Sequence, residues 1–324
     1  MKTTTLGRSG LEVSRIAFGT WQLGGEWGSF DEDAAIAAIR RARELGVNFF
    51  DTAQAYGFGV SEGLLGRALR DELTRDRDQL VIATKGGLRR TYTGVVRDAS
   101  PAWLRAGVDA SLTALGVDHI DLYQVHWPDA KIPAAETASA LAELVAEGKI
   151  GHVGVSNYSA GQMAEFAETL PVETLQPPYH LFRRAIEAEV LPYCLDNNIG
   201  VLVYGPLAHG LLTGMLSAHT PFADDDWRAT STVFKGGTYR RNLATVRALE
   251  KFAADRGITV SQLAIGWTLA NPAVHVAIVG TRHAGHVEDS IAATEVFLSD
   301  ADLDDIDKIM AAATPVAGPS PEGM

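Results

Sequence analysis

GVNFFDTAQAYGFGVSEGLLGRAL, residues 46–69, decides how this chain folds. The apolar run VNFF stops abruptly at Asp51, a short polar turn carries Tyr56, and Ser61–Leu69 resumes with helical spacing. A buried strand that ends in an acid and turns into a helix is one βα unit, with its polar residues on the strand's C-terminal rim. The same grammar recurs downstream. LVIATK (80–85) ends in Lys85, and IDLYQVHW (120–127) ends at His126. Further strands are expected at RIAFGTW (15–21), HVGVSN (152–157), TLQPPY (174–179), GVLVYGP (200–206) and VAIVGT (276–281). Most lack period-two alternation, as parallel strands covered on both faces do.

Helical segments fall between them. Asp31–Leu45 precedes Gly46, and Ser100–Leu115 opens Ser-Pro and stops at Gly116, matching cap, N1 proline and C′ glycine. Ala134–Glu147, Ser159–Leu170, Ile186–Asn197 and segments near 242–255, 260–270, 284–294 and 301–312 follow. The alternation runs through residues 1–324 without a linker and predicts a single (β/α)8 TIM barrel. A doubly wound dinucleotide fold would need G-x-G-x-x-G at a strand-helix turn. Gly57-Phe-Gly-Val-Ser-Glu-Gly63 has the wrong last spacing. Three segments fall outside the repeat: 1–14, read as a hairpin plugging the barrel bottom; 213–241, a long loop after strand seven read as a lid; and 314–324, read as a flexible tail.

The chain has 324 residues, 46% of them hydrophobic, with 28 basic against 40 acidic side chains and a net charge of -12. That balance disfavours nucleic acid and anionic membrane surfaces as partners. One cysteine, Cys194, rules out an internal disulfide framework. The N-terminus lacks a signal-peptide core and no stretch is long and apolar enough to span a membrane, so a cytoplasmic location is expected. His283 and His286 lack a placed carboxylate or cysteine partner, and the first strand lacks paired histidines; no metal is expected. No facing pair of acids suits glycoside hydrolysis. The sequence carries no signal for oligomeric state.

Asp51, Tyr56, Lys85 and His126 thus bring an acid, a phenol, an amine and an imidazole to one rim. A phenol is a poor acid at neutral pH. An ammonium beside it favours the phenolate, and a buried lysine needs a counter-ion such as Asp51. Tyr56 then becomes a proton donor of useful strength, and His126 can orient the same substrate oxygen. Such a site suits protonation of a carbonyl oxygen, with the hydride coming from a cofactor.

Residues 46–69, together with IATKGG, YQVHWPD, GVSNY and YGPLAHGLLTG in that order, resemble the aldo-keto reductase family. The similarity spans about residues 4 to 312, within the branch that includes potassium-channel beta subunits. The resemblance implies NADPH bound in an extended pose and leaves NADH open. It makes Asp51, Tyr56, Lys85 and His126 the catalytic tetrad, with Tyr56 the general acid. It implies that Ser156, Asn157 and Gln176 hold the nicotinamide carboxamide and that Tyr204 stacks on the ring. Gly19, Thr20 and Trp21 would flank the cofactor, and Pro206, Leu207, Gly210 and Leu211 would line the pyrophosphate path. After Gly280 and Thr281, Arg282 is the candidate for the 2′-phosphate. His286, Asp289 and Ser290 stand where relatives carry Gln, Glu and Asn, and Met215 where many carry lysine.

Trp21, Trp27, Tyr56, Leu88, His126 and Trp127 are candidate walls of a mostly apolar pocket for a small-molecule carbonyl substrate, an aldehyde or a ketone. Arg89 and Arg90, just beyond Lys85, are read as exposed charge in preference to the alternative, that they attract an anionic substrate. The same residues serve the reverse reaction, an alcohol dehydrogenase. A cofactor-binding regulatory subunit is the other class, against which the acidic, stand-alone chain argues.

Overall fold

A computed structural model describes residues 1–317. The chain opens with a hairpin, β1 (Thr3–Thr5) paired antiparallel with β2 (Glu12–Ser14). Barrel strands β3 (Ile16–Gly19), β4 (Phe49–Asp51) and β5 (Val81–Gly86) follow, then a second hairpin of β6 (Leu88–Thr91) and β7 (Gly94–Arg97). The barrel continues with β8 (Ile120–Val125), β9 (Ile150–Ser156), β10 (Thr174–Gln176), β11 (Gly200–Tyr204) and β12 (Val276–Gly280). All neighbours are parallel, and β12 closes on β3 to give an eight-stranded TIM barrel. Around it lie α1 (Glu32–Glu44), α2 (Val60–Ala68), α3 (Arg70–Arg75), α4 (Pro101–Leu115), α5 (Ala134–Ala146) and α6 (Ala160–Ala167). The ring ends with α7 (Val190–Asp196), α8 (Gly236–Ala254), α9 (Val260–Ala270), α10 (Ala284–Ala292) and α11 (Asp300–Met310). No described helix is long and apolar enough to cross a membrane.

Alternate residues of each strand serve two cores, which is why the strands read as continuous apolar runs. Ala17, Phe49, Ala83, Leu122, Leu202 and Val276 fill the barrel interior, where Leu6 and Val13 of the first hairpin join them. Phe18, Phe50, Ile82, Val125 and Val203 face the helices. The hairpin lies across the N-terminal end: Arg8 N donates to Asn198 O at 2.8 Å, and a Cβ on Gly200 would meet Leu6 at 2.7 Å. Among the described residues, the hairpin thus covers the N-terminal end, and the C-terminal rim is left open.

Two expectations need correction, and one element went unread. The β6–β7 hairpin was not foreseen, because LRRTYTGVVR carries little apolar alternation. The long loop ends at 235, since α8 starts at Gly236 and buries Tyr239, Asn242, Leu243 and Val246 along one face. The tail expected from 314 is tied down at its start. Thr314 N donates to Asn242 Oδ1 at 2.8 Å and Val316 N to Phe182 O at 2.7 Å. Its remainder, 318–324, lies outside the described residues.

Glu62 on α2 is buried and accepts from Thr84 Oγ1 at 2.6 Å. Burial pushes its pKa up, against the Thr84 hydroxyl and the Lys85 charge. A raised folded-state pKa means that stability from this group is fully present below the unfolded value and is lost as pH rises through the folded one. Glu62→Gln should therefore gain on the native chain as pH rises above about 4.3, with a slope approaching about 1.4 kcal/mol per pH unit. A stability difference independent of pH, measured by chemical denaturation, would contradict this.

Candidate active site

The four rim residues converge. Lys85, fully buried at the end of β5, directs its ammonium at Asp51 Oδ2 (2.7 Å), Thr52 O (2.9 Å) and Tyr56 Oη (3.3 Å). Those three acceptors account for the three ammonium hydrogens. A buried ion pair needs such saturation to offset its desolvation. Tyr56 Oη accepts from Lys85, so it donates through its own hydrogen. The His126 ring stands edge-on to the Tyr56 ring, with centroids 5.8 Å apart. The Thr52 carbonyl was missed in the sequence, because a backbone acceptor leaves no residue-type signal.

Gln176 reaches across the barrel from β10 and donates to Asp51 Oδ1 at 2.8 Å. Both Asp51 oxygens thus meet donors, Lys85 on one side and Gln176 on the other. Ser156 and Asn157, read from the sequence as facing the cofactor, stand behind this layer. Ser156 Oγ donates to Gln176 O at 2.8 Å. Asn157 Nδ2 donates to His126 O (3.1 Å) and Ser156 Oγ (3.0 Å), while Oδ1 accepts from Tyr204 Oη at 2.8 Å. The left-handed backbone of Asn157, at φ 63°, turns its amide to these partners. Both residues therefore brace His126, Gln176 and Tyr204.

An elongated cleft of about 600 Å³ leads from Asp51 and Tyr56 along the ends of β10, β11, β12 and β3. Gly19, Thr20, Trp21, Gln176 and Tyr204 line its inner end, and Pro206, Leu207 and Gly210 line its middle. Gly280, Thr281, Arg282, His286, Asp289 and Ser290 line the far end. Leu211 does not line it; the side chain is fully buried in the core. Gln176 Oε1 is a buried acceptor with no partner among the described residues, matched to an amide N–H. At the closure of β12 on β3, a Cβ on Gly280 would stand 3.0 Å from Gly19 O, so glycine lets the two strands approach closely where both line the cleft. These features fit a nicotinamide dinucleotide in extended form.

Arg282 is more occupied than its sequence context suggests. Its guanidinium donates to Gln22 O (2.8 Å), Gly28 O (3.1 Å) and Ser29 O (3.4 Å), and burial pulls its pKa below the ordinary arginine value. Asp289 accepts from Gln262 Nε2 at 2.7 Å. Thr281 Oγ1 lies 3.3 Å from His286 Nδ1. Among the described residues, no group of three His, Cys, Asp or Glu side chains can hold a metal.

The 213–235 segment crosses the cleft and meets the loop after β3. Trp227 stacks on Trp21 with centroids 6.0 Å apart, and Trp27 meets both edge-on. His209, unremarked in the sequence, packs 5.2 Å from Trp227. Arg228 pairs with Asp226 at 2.6 Å and lies over Trp27, and Asp225 Oδ2 accepts from Ser29 N at 3.2 Å. Trp21, Trp27 and Tyr56 line the cleft. Leu88 and Trp127 do not: Leu88 is buried on the inward face of the β6–β7 hairpin, and Trp127 lies beneath Arg97, while His126 is buried edge-on against the Tyr56 ring at the cleft's inner end.

A family model described as the Aldo/keto reductase family matches residues 15–311. Aldo-keto reductase YhdN of Bacillus subtilis (strain 168) is 42% identical over 312 residues, covering 96% of this chain and 94% of that protein. The NADH-specific methylglyoxal reductase of Escherichia coli (strain K12) is 34% identical, covering 93% and 96%. The structure of the glycerol dehydrogenase AKR11B4 from Gluconobacter oxydans superposes with a TM-score of 0.86 at 39% identity, covering 97% of this chain and 96% of that one. By sequence and by architecture, the chain belongs to the aldo/keto reductase family, oxidoreductases that interconvert carbonyl and alcohol groups with a nicotinamide cofactor.

Proposed function

We propose that the chain reduces a small aldehyde or ketone with NADPH, Tyr56 acting as general acid. The observation that carries this is the Lys85 ammonium held at once by Asp51, Thr52 O and Tyr56 Oη. The cofactor supplies the hydride. As negative charge grows on the substrate oxygen, Tyr56 releases its proton to that oxygen. The fixed ammonium, itself fully buried, stabilises the phenolate left behind without reorganisation. The His126 ring, edge-on to Tyr56, holds the oxygen on the side facing the phenol. Gln176 Oε1 and the Tyr204 ring would hold the nicotinamide, and Pro206, Leu207 and Gly210 would border the pyrophosphate. The reverse reaction uses the same groups.

Preference for the phosphorylated cofactor rests on Arg282. Four of its five donor directions go to backbone carbonyls, yet its charge persists and one Nη1 hydrogen remains for a phosphate oxygen. The opposing Asp289 carboxylate is held by Gln262 and Thr259. Arg282→Ala should lower kcat/KM for NADPH by about tenfold or more, since charge-assisted contacts contribute about 1.5–3 kcal/mol. Turnover with NADH is the control. Equal losses with both cofactors would reduce Arg282 to a tie for the 22–29 loop. A native enzyme that prefers NADH, as the name of the Escherichia coli relative states of that protein, would overturn the NADPH assignment.

A further inference from the structure

The β6–β7 hairpin carries a positive face beside the turns that follow β4 and β8. In the β6–β7 register, Leu88 lies opposite Arg97 and Arg90 opposite Val95. Alternation along each strand then puts Leu88, Arg90, Val95 and Arg97 on one face. Leu88 is buried, so that face is turned to the protein. Arg90 sits 4.3 Å over the Phe58 ring and Arg97 sits 4.7 Å over the Trp127 ring. Phe58 follows Tyr56 by two residues, and Trp127 follows His126 directly. The two guanidiniums are thereby fastened to the turns that carry the proton donor and the imidazole. None of the four side chains lines the cofactor cleft.

Phe58 holds its position at φ 51°, a left-handed conformation costly for a bulky residue. Neither Arg90 nor Arg97 makes an ion pair among the described residues. Arg97 gives one hydrogen bond, to Pro128 O at 3.2 Å. The nearby acids are engaged: Asp98 with Arg89 at 2.8 Å, Asp129 with the N–H groups of Ala99 and Lys131, and Glu26 with Gly57 N. Cations held on aromatic faces keep all their charge and most of their donors. In a chain of net charge -12 the overall field repels anions, so a local pair of this kind is what an anionic ligand would require.

We propose that Arg90 and Arg97 bind the anionic group, carboxylate or phosphate, of a short carbonyl substrate whose carbonyl lies at Tyr56 and His126. This rests on the carbonyl-reductase reading and adds the substrate class. The test compares kcat/KM for matched probes, succinic semialdehyde against butanal and glyceraldehyde 3-phosphate against glyceraldehyde. It uses the native chain, Arg90→Gln, Arg97→Gln and the control Arg89→Gln, whose native side chain pairs with Asp98 on the opposite face. The native enzyme should favour the anionic member of at least one pair by tenfold or more, with the pair favoured separating carboxylate from phosphate. Arg90→Gln and Arg97→Gln should each cut that ratio at least fivefold, mainly through KM, and Arg89→Gln should leave it unchanged. Added salt should shrink it. No preference in the native enzyme, or an equal fall for both members of each pair, overturns the inference while leaving the reductase standing. Reduction of none of the four probes or of a neutral aromatic aldehyde overturns both.

Discussion

Tyr56→Phe should lower kcat by about 10²–10⁴-fold, the range contributed by a positioned general acid, with cofactor affinity and melting temperature little changed. The ring remains to pack against Trp21 and His126, so the loss isolates one proton. Lys85 keeps its contacts with Asp51 and Thr52 O and gives up only the longest of its three bonds. Steady-state oxidation of NADPH with a saturating aldehyde measures the effect. A variant retaining more than about a tenth of native turnover would remove Tyr56 from the role of general acid.

Lys85→Met should destabilise the fold by about 3–5 kcal/mol, because it strands the Asp51 carboxylate in the barrel interior without its counter-ion. Gln176 would still donate to Asp51, but an amide does not neutralise a buried charge. Asp51→Asn combined with Lys85→Met removes the stranded charge, so the double variant should recover a large part of the loss while remaining inactive. Denaturant unfolding of the four members of this cycle decides the matter. Equal stability of the single and double variants would mean that the carboxylate is not the source of the penalty.

The convergence of Asp51, Lys85 and His126 was legible because each directly follows an apolar run, and an abrupt change from apolar to polar is a local signal; Tyr56 was legible only through the turn that Asp51 opens. The barrel was legible for the same reason, one strand at a time. Side-chain direction past a strand end was not. Ser156 and Asn157 sit where the sequence puts them, but the left-handed backbone of Asn157 aims its amide at Tyr204 and His126. Arg282 was legible as a cation at the end of β12, whereas its carbonyl partners at Gln22, Gly28 and Ser29 lie more than 250 residues earlier in the chain. Long-range backbone acceptors leave no trace in residue type. The β6–β7 hairpin escaped because its inward face is half arginine, so hydrophobic periodicity could not find it.

The closed order of strands divides the rim into two uninterrupted arcs. Asp51, Tyr56, Lys85 and His126 come from β4, β5 and β8, and the cleft follows the neighbouring run from β10 through β12 to β3. The Gln176–Asp51 bond is one strut between them, and the Asn157 amide, bonded to both His126 O and Tyr204 Oη, is another. Insertions after β5 or β8 can therefore be lengthened, exchanged or recharged without disturbing a contact in the other arc. A scaffold partitioned in this way separates the inheritance of a redox partner from the choice of what is reduced. One lineage can then diversify its substrates by loop replacement alone.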